Sequence, residues 1–309
     1  MFIDGASALA RRFGVSPLIV GMVIIGFGTS APELAVSALS GIGGHSNLSL
    51  GNAYGSCIFN IGAILGVAAL IRPIAVKPSV VWIAAPLLLI VTALSYFVIA
   101  DHEFERANGI TLLVAFAIIM PLYCWYDQKW GQPADPSSEG EPSLDVTGSV
   151  RLGREWFRLL AGLVLLVLSS HVLVWGSVDF ARDVLHVSDL LIGLTIVAVG
   201  TSLPELASAV VSARKGESEF VIGNIVGSNL FNTLAVVGLA GTISPFSNFS
   251  PYILSRDLPV MFGLSLSLAI FGLNFRNVRK NGCIARWKGA IWLLAFLAYL
   301  AVMICQEVK

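Results

Sequence analysis

The sequence predicts an all-α polytopic membrane protein with about ten transmembrane helices, arranged as two inverted repeats of five helices. Three observations predict this class. The 309 residues are 56% hydrophobic and only 12% charged, with a mean hydropathy of +0.83, which is more apolar than a soluble domain requires. Apolar runs long enough to cross a bilayer recur along the chain. Two of them contain nearly the same motif, GFGTSAPE and AVGTSLPE.

Nine apolar segments have about the 20 residues that a transmembrane helix needs. They are 16–41, 48–71, 80–100, 108–126, 156–178, 188–213, 219–243, 258–274 and 287–305. Residues 2–10 form a tenth apolar segment of only about half that length. We therefore expect the first helix to be truncated at its beginning in this sequence.

One long polar stretch, 127–155, separates two apolar halves. Its proline, glycine, serine and acidic residues cannot bury enough apolar area to fold alone, which is typical of a linker. The predicted organisation is a first transmembrane repeat at 1–126, a linker at 127–155 and a second transmembrane repeat at 156–309.

The basic residues indicate the orientation in the membrane. When the connections are assigned alternately to the two sides, one side carries fifteen Lys and Arg residues and the other carries four. The positive-inside rule places the richer side, which includes the linker, in the cytoplasm. We expect a multi-pass protein of a prokaryotic inner or plasma membrane, with both termini outside. The equal numbers of basic and acidic residues, 19 each, give no signal for nucleic acid.

The two halves are related by an internal repeat. Segment 16–73 aligns with 188–245 without a gap at an offset of 172 positions, with 25 identities in 58 positions. The shared residues include the GTSxPELA motif and the frame GN..GS..FN of GNAYGSCIFN and GNIVGSNLFN. Because five helices is an odd number, the second copy would enter the membrane from the opposite face and bring the two motifs together near the midplane.

Glu33 and Glu205 occupy the centres of two predicted spans at matching positions of the repeat. A charge at the bilayer centre costs roughly 2.5–3.5 kcal/mol even on the lenient insertion scale. No Lys or Arg is predicted at the same depth, so the partner of these carboxylates should be mobile, either a cation or protons.

The neighbours of both glutamates are oxygen donors. Pro32 and Pro204 lack a backbone N–H and disfavour helical geometry just before them, so we expect carbonyl groups of the preceding turn to lose their helical partners. Hydroxyl and amide side chains repeat around the glutamates and in the following helices; they are Thr29, Thr201, Ser30, Ser202, Ser56, Ser228, Asn60 and Asn232.

Two carboxylates with hydroxyl, amide and carbonyl oxygens favour a hard cation, with Ca²⁺ preferred over transition metals. One Ca²⁺ neutralises the two ionised glutamates, whereas the empty pair would be buried with a charge of −2. The empty carrier should therefore rarely switch sides, which predicts obligate exchange of Ca²⁺ for Na⁺ or H⁺. No resident cofactor is predicted, and the oligomeric state stays open.

These residues resemble the two α-repeats of the cation/Ca²⁺ exchanger superfamily, and the chain is similar to its prokaryotic sodium/calcium exchanger-like members. The resemblance implies ten transmembrane helices, a site built from helices two, three, seven and eight, and alternating access through sliding of helices one and six. We expect that the protein is not an enzyme. It assigns Glu33, Glu205, Thr29 and Thr201 to Ca²⁺. It assigns Na⁺ sites to Ser30, Ser56, Asn60, Ser202 and Ser228, together with the carbonyl groups near Gly26 and Ala198. Many sodium-coupled relatives have Asp at the position of Asn232, which leaves the Na⁺ stoichiometry and H⁺ coupling open.

Four other readings of the glutamates are considered. The pair could be protonated and serve packing only, the carrier could take another divalent cation such as Mg²⁺ or Mn²⁺, or the protein could be an ion channel. An intramembrane hydrolase could use the two glutamates as acid and base. Symmetry mates in nearly identical settings argue against the hydrolase, because acid–base catalysis favours carboxyl groups in different environments.

Overall fold

The computed structural model describes residues 16–130, 156–165, 188–247, 249–274, 277–278 and 280–307, together with positions 153, 168 and 172. The predictions for residues 2–10, for most of span 156–178 and for most of linker 127–155 lie outside the described residues.

The described residues are mostly helical and form eleven helices. They are α1 Pro17–Thr29, α2 Ala31–Ile42, α3 Ser46–Ile71, α4 Val80–Val98, α5 Arg106–Trp130, α6 Trp156–Leu165, α7 Leu190–Thr201, α8 Leu203–Lys215, α9 Ser218–Ile243, α10 Ile253–Gly272 and α11 Arg286–Glu307. In this part of the chain six helices are long and apolar enough to cross a membrane, or eight spans if each bent pair, α1–α2 and α7–α8, counts as one. The protein is thus a polytopic helical membrane protein.

Eight of the nine predicted spans correspond to a helix or a bent pair, with ends that differ by at most five residues. Two boundaries differ for a physical reason. Helix α5 continues to Trp130, into the segment predicted as linker, and its Asp127 is buried and accepts a hydrogen bond from the Ser16 hydroxyl at 2.6 Å. Helix α10 begins at residue 253 rather than 258, because two charged residues at its start pair with each other.

That pair is Arg256 and Asp257, and both residues are buried. The Arg256 Nε donates to Asp257 Oδ1 at 2.7 Å, and the Tyr299 hydroxyl of α11 donates to the same oxygen at 2.9 Å. Arg256 also donates to Gln306 at 2.9 Å. Charges that satisfy one another in this way can lie inside a helix bundle. The ion pair belongs to α10, and hydrogen bonds with Tyr299 and Gln306 connect it to α11.

Helices α3 and α9 form the centre of the bundle. The most apolar 18-residue stretch of α9 is wholly buried and that of α3 is 83% buried, whereas the corresponding figure is 17% for α5 and 28% for α11. Helices α5 and α11 therefore lie at the periphery, with most of their side chains facing outward. The central position of α3 and α9 follows from the small and polar residues of their GN..GS..FN frames, which suit helix contacts rather than lipid.

Glycines allow the central helices to approach their neighbours closely, as the small-xxx-small spacing predicts. A Cβ at Gly223 of α9 would contact the backbone oxygen of Leu18 in α1. A Cβ at Gly51 of α3 would lie 3.1 Å from the backbone oxygen of Leu190 in α7. Helix α9 thus packs backbone to backbone on α1, and α3 does the same on α7.

Two short antiparallel sheets connect the halves of the chain. Strand β1, Ile74–Val76, follows α3 and pairs with β4, Gly282–Ile284, between α10 and α11. Strand β3, Phe246–Ser247, follows α9 and pairs with β2, Glu103–Phe104, between α4 and α5. Each half therefore supplies one strand to each sheet, and the backbone hydrogen bonds of both sheets fix the halves against each other.

Candidate functional site

Both glutamates lie immediately after a bend in the helix. The axis turns by 42° between α1 and α2 at Ser30 and by 45° between α7 and α8 at Ser202. These serines have nearly equal backbone angles, φ −83°, ψ 8° and φ −86°, ψ 10°. The prolines that follow occupy the second position of α2 and of α8, where a missing N–H is tolerated. Glu33 and Glu205 therefore stand in the first turn of a new helix, where the helix dipole favours negative charge.

The bend determines which carbonyl groups of the preceding turn keep a helical hydrogen bond. The carbonyl groups of Gly26 and Ala198 keep their helical hydrogen bonds, from the backbone N–H groups of Ser30 at 3.1 Å and of Ser202 at 3.2 Å. The prolines remove the donors four residues after Gly28 and Gly200 instead. The carbonyl groups of Gly26 and Ala198 also lie 3.4 Å from a serine hydroxyl of the opposite half, which can donate to them. The hydroxyl is that of Ser228 at Gly26 and that of Ser56 at Ala198. Carbonyl oxygens have two lone pairs, so both bonds are compatible.

The two halves exchange hydrogen bonds at the carboxylates. The Ser30 hydroxyl donates to Glu205 Oε1 at 2.9 Å, and the Ser202 hydroxyl donates to Glu33 Oε1 at 2.8 Å. The Ser228 hydroxyl lies 3.3 Å from Glu205 Oε1 and 3.4 Å from the Gly26 oxygen, and its single hydrogen can point to one of them at a time. The carboxylates are also close enough to interact electrostatically. The structure thus brings together the residues that the two sequence motifs predict, through contacts that cross between the motifs.

The threonines of the motifs face asparagines of the opposite half. Thr29 Oγ1 lies 3.4 Å from Asn224 Oδ1, and Thr201 Oγ1 lies 3.1 Å from Asn52 Oδ1. The shortest contact of each hydroxyl is the backbone oxygen four residues earlier, at 2.9 Å in both helices. The amino groups of these asparagines donate to the backbone carbonyl groups of the glutamates, Asn52 to Glu33 at 3.1 Å and Asn224 to Glu205 at 3.3 Å. Each asparagine therefore connects the glutamate turn of its own half to the threonine of the other.

Asn52 and Asn224 were not among the predicted site residues. Both belong to the repeated GN dipeptide and lie 172 positions apart, so the repeat itself could have identified them. Ser37, which is also outside the predicted set, accepts a hydrogen bond from Asn52 at 2.9 Å and donates to the Ser49 backbone oxygen at 3.1 Å. Its counterpart in the repeat is Ala209, so the repeat gave no signal for it.

Asn60 and Asn232 occupy matching places in α3 and α9 but have different surroundings. Asn60 donates to Asn229 Oδ1 at 2.9 Å. Within the described part of the chain, Asn60 Oδ1 and both polar atoms of Asn232 have no hydrogen-bond partner although they are buried. The same holds for the Oε2 atoms of Glu33 and Glu205.

Four of these five atoms are acceptors, and together they mark a candidate cation site, because a buried acceptor without a donor is costly. The fifth, Asn232 Nδ2, is a donor. The ten predicted side chains, from Thr29 to Asn232, are inaccessible to solvent. Among the described residues no Lys or Arg pairs with either glutamate, and no group of three or more His, Cys, Asp or Glu could hold a metal ion. The donor set is thus two carboxylates and neutral oxygens, which suits a hard cation such as Ca²⁺ or Na⁺.

Fold and site together define a polytopic membrane protein with a buried cluster of oxygen donors contributed by both halves of the chain. The family model described as sodium/calcium exchanger protein matches residues 1–125 and 155–305. The chain belongs to the sodium/calcium exchanger family.

Individual relatives agree with this assignment. The chain is 40% identical over 299 residues to the putative antiporter CaxA of Alkalimonas amylolytica, covering 96% of this chain and 91% of the relative. It is 30% identical over 336 residues to the sodium/calcium exchanger MaX1 of Methanosarcina acetivorans, covering 98% and 93%. The solved structure of the sodium-calcium exchanger NCX_Mj superposes with a TM-score of 0.76 at 28% identity, covering 97% of this chain and 91% of that chain. These relatives are transporters, and the comparisons support cation/Ca²⁺ exchange.

Proposed function

We propose that the protein is a secondary active antiporter that exchanges Ca²⁺ for Na⁺ or H⁺ by alternating access. The observation that carries this proposal is the pair of carboxylates Glu33 and Glu205, each with one oxygen bonded to a serine of the other half and one oxygen without a partner in the described residues. An ionised pair in this setting requires an exchangeable positive charge.

The proposed ion ligands are the twelve groups predicted from the sequence. The carboxylates of Glu33 and Glu205 and the hydroxyls of Thr29 and Thr201 bind Ca²⁺. The Na⁺ ligands are Ser30, Ser202, Ser56, Ser228, Asn60 and the carbonyl groups of Gly26 and Ala198. Asn232 is the twelfth group, and its ion is left open. Ca²⁺ takes six to eight oxygen ligands at flexible geometry, and this donor set is large enough to provide them. Their burial supports the proposal, since dehydration of the ion needs compensating oxygens.

Charge balance predicts that transport is an exchange of ions. One Ca²⁺ neutralises the two carboxylates, and two monovalent cations neutralise them equally well. The empty pair would expose two unpaired charges to the low-dielectric interior during the change of access, which is strongly unfavourable. Ion exchange, rather than uncoupled passage, is therefore the expected mode.

We further propose that the two halves are inverted five-helix repeats, 1–126 and 156–309, of a ten-helix protein, with the segment near 127–155 in the cytoplasm and both termini outside. Crossed contacts support the repeat: Ser30 and Ser202, like Ser56 and Ser228, make equivalent bonds at an offset of 172. Inverted repeats that place two half-sites face to face are a common carrier architecture. The proposed location is a prokaryotic inner or plasma membrane.

The test is ⁴⁵Ca²⁺ uptake into proteoliposomes. Vesicles loaded with Na⁺ and diluted into Na⁺-free medium test Na⁺ coupling, and acid-loaded vesicles test H⁺ coupling. K⁺-loaded vesicles and protein-free liposomes are the matched controls. Uptake above both controls with at least one gradient is expected, and competition by unlabelled Mg²⁺ or Mn²⁺ tests the other divalent cations. Uptake driven by neither gradient would contradict the antiport proposal.

A further inference from the structure

The amide of Asn60 is held in one orientation by a chain of hydrogen bonds. The Asn229 amino group donates to the backbone oxygen of Cys57 at 3.3 Å, and the Asn60 amino group donates to Asn229 Oδ1 at 2.9 Å. All three residues are inaccessible to solvent. A backbone carbonyl group can only accept, so the amino group of Asn229 must face Cys57 and its oxygen must face Asn60. This arrangement uses the amino group of Asn60 and leaves its Oδ1 for another partner.

Among the described residues, the opposite half has no equivalent of this series of hydrogen bonds. At the offset of 172, Asn60 corresponds to Asn232, and Asn229 corresponds to Cys57. The Cys57 thiol contacts Thr233 Oγ1 at 3.6 Å and the backbone oxygen of Asn229 at 3.7 Å, and it has no amide with which to hold Asn232. In agreement, both polar atoms of Asn232 lack a partner among the described residues. The two amides are therefore inequivalent, although their own positions repeat.

We infer that Asn229 is a positioning residue that fixes Asn60 with its oxygen available to the transported cation, while the cysteine at the matching position leaves the Asn232 amide able to rotate. This inference rests on the proposed function, in which Asn60 is an ion ligand. A pre-oriented oxygen costs less to order when the ion arrives, and a chain of amides also polarises its last oxygen. Asn232 can turn either its oxygen or its amino group toward the site.

The test is a double-mutant cycle on Na⁺-driven ⁴⁵Ca²⁺ uptake. Because the proposed function assigns Asn60 to Na⁺, the KM measured is the Na⁺ concentration for half-maximal rate, and the maximal rate is measured separately. Asn229→Cys gives α9 the residue that α3 already has at the matching position. We expect it to raise KM roughly five- to fifteenfold, the effect of losing one orienting hydrogen bond. Asn60→Ala should raise KM at least as much, and the double variant should match Asn60→Ala alone, because Asn229 acts through Asn60.

A second comparison applies if Asn229→Cys does not fold. Asn60→Asp places a carboxylate oxygen against Asn229 Oδ1, so two acceptors meet and KM should rise. Asn232→Asp adds the same charge without this conflict, because Asn232 has no anchoring amide among the described residues, so Asn60→Asp should raise KM more than Asn232→Asp does. Equal responses of the two aspartate variants would overturn the inference.

The outcomes separate the two proposals. Suppose that the wild type transports normally and that Asn229→Cys raises KM by the same factor with and without Asn60→Ala. This result would overturn the positioning role and leave the exchange function intact. A change only in maximal rate or in the amount of folded protein would overturn it as well. Absence of wild-type uptake would overturn both proposals.

Discussion

Replacement of Glu205 with glutamine is expected to abolish Ca²⁺ transport without unfolding the protein. The Ser30 hydroxyl donates to Glu205 Oε1 at 2.9 Å and the Ser228 hydroxyl lies 3.3 Å from the same oxygen, whereas Oε2 has no partner in the described residues. In glutamine we expect the oxygen to stay opposite Ser30, because an amino group cannot accept the hydrogen that Ser30 donates. The amino group therefore takes the place of Oε2, where it presents hydrogens instead of lone pairs to the cation.

The expected fall in Ca²⁺ affinity follows from the loss of one buried charge together with one ligand oxygen. Removal of one partner from a buried, hydrogen-bonded charge pair costs about 3–5 kcal/mol. At about 1.4 kcal/mol per tenfold change, the affinity for Ca²⁺ falls by roughly 10²- to 10⁴-fold. Glu33→Gln should lose about as much, because Glu33 is equally buried and accepts a serine hydroxyl at nearly the same distance, 2.8 Å.

The assay is the concentration dependence of ⁴⁵Ca²⁺ uptake in proteoliposomes with equal amounts of reconstituted protein. Glu105→Gln, which changes an exposed acid in a connection between helices, is the matched control and should transport like the wild type. Size-exclusion chromatography verifies that each variant is folded. Uptake by folded Glu205→Gln or Glu33→Gln within threefold of the wild type at low Ca²⁺ would refute the electrostatic reasoning.

Three further predictions concern other parts of the molecule. Ser30→Ala and Ser202→Ala each remove a hydrogen bond to a carboxylate worth about 1.5–3 kcal/mol. The Ca²⁺ concentration for half-maximal uptake should therefore rise by at least tenfold, and by a similar factor in both variants. An effect in only one variant would contradict the crossed arrangement. Gly223→Ala forces a methyl group against the backbone of α1 and should lower stability by about 1–3 kcal/mol, measured by thermal unfolding in detergent. Its control, Gly263→Ala, meets open space and should not destabilise. Tyr299→Phe removes the 2.9 Å hydrogen bond to the buried Asp257 of α10. It should lower the free energy of unfolding by about 1–3 kcal/mol while Ca²⁺ uptake persists. Loss of uptake in folded protein would instead assign Tyr299 to transport.

Much of the fold could be predicted because lipid imposes a simple rule on the sequence. A helix that crosses a membrane needs about 20 apolar residues, so the spans could be located to within five residues in the described chain. The ends of helices α10 and α5 differ most from the predicted span ends, because buried partners allow Arg256 and Asp127 to lie inside a helix. Pairing of this kind depends on distant residues and leaves no local pattern.

The candidate site could be predicted where the repeat preserved it. Glu33 and Glu205 stand out because a carboxylate is costly in an apolar span, and the duplication identifies their hydroxyl neighbours. Asn229 was missed because its counterpart is Cys57, so the internal alignment contains no matching pair at that position. A residue that acts in one half only cannot be found by comparing the halves.

The sequence by itself determined the membrane class, most span positions and the two motifs, because hydropathy and duplication are properties of the chain alone. Only the tertiary structure decided that each serine bonds the glutamate of the other half, that Gly26 and Ala198 keep their helical hydrogen bonds, and which oxygens lack a partner. Hydrogen bonds between groups more than 160 residues apart depend on how helices cross and rotate, and that geometry is set by the packing of the whole bundle.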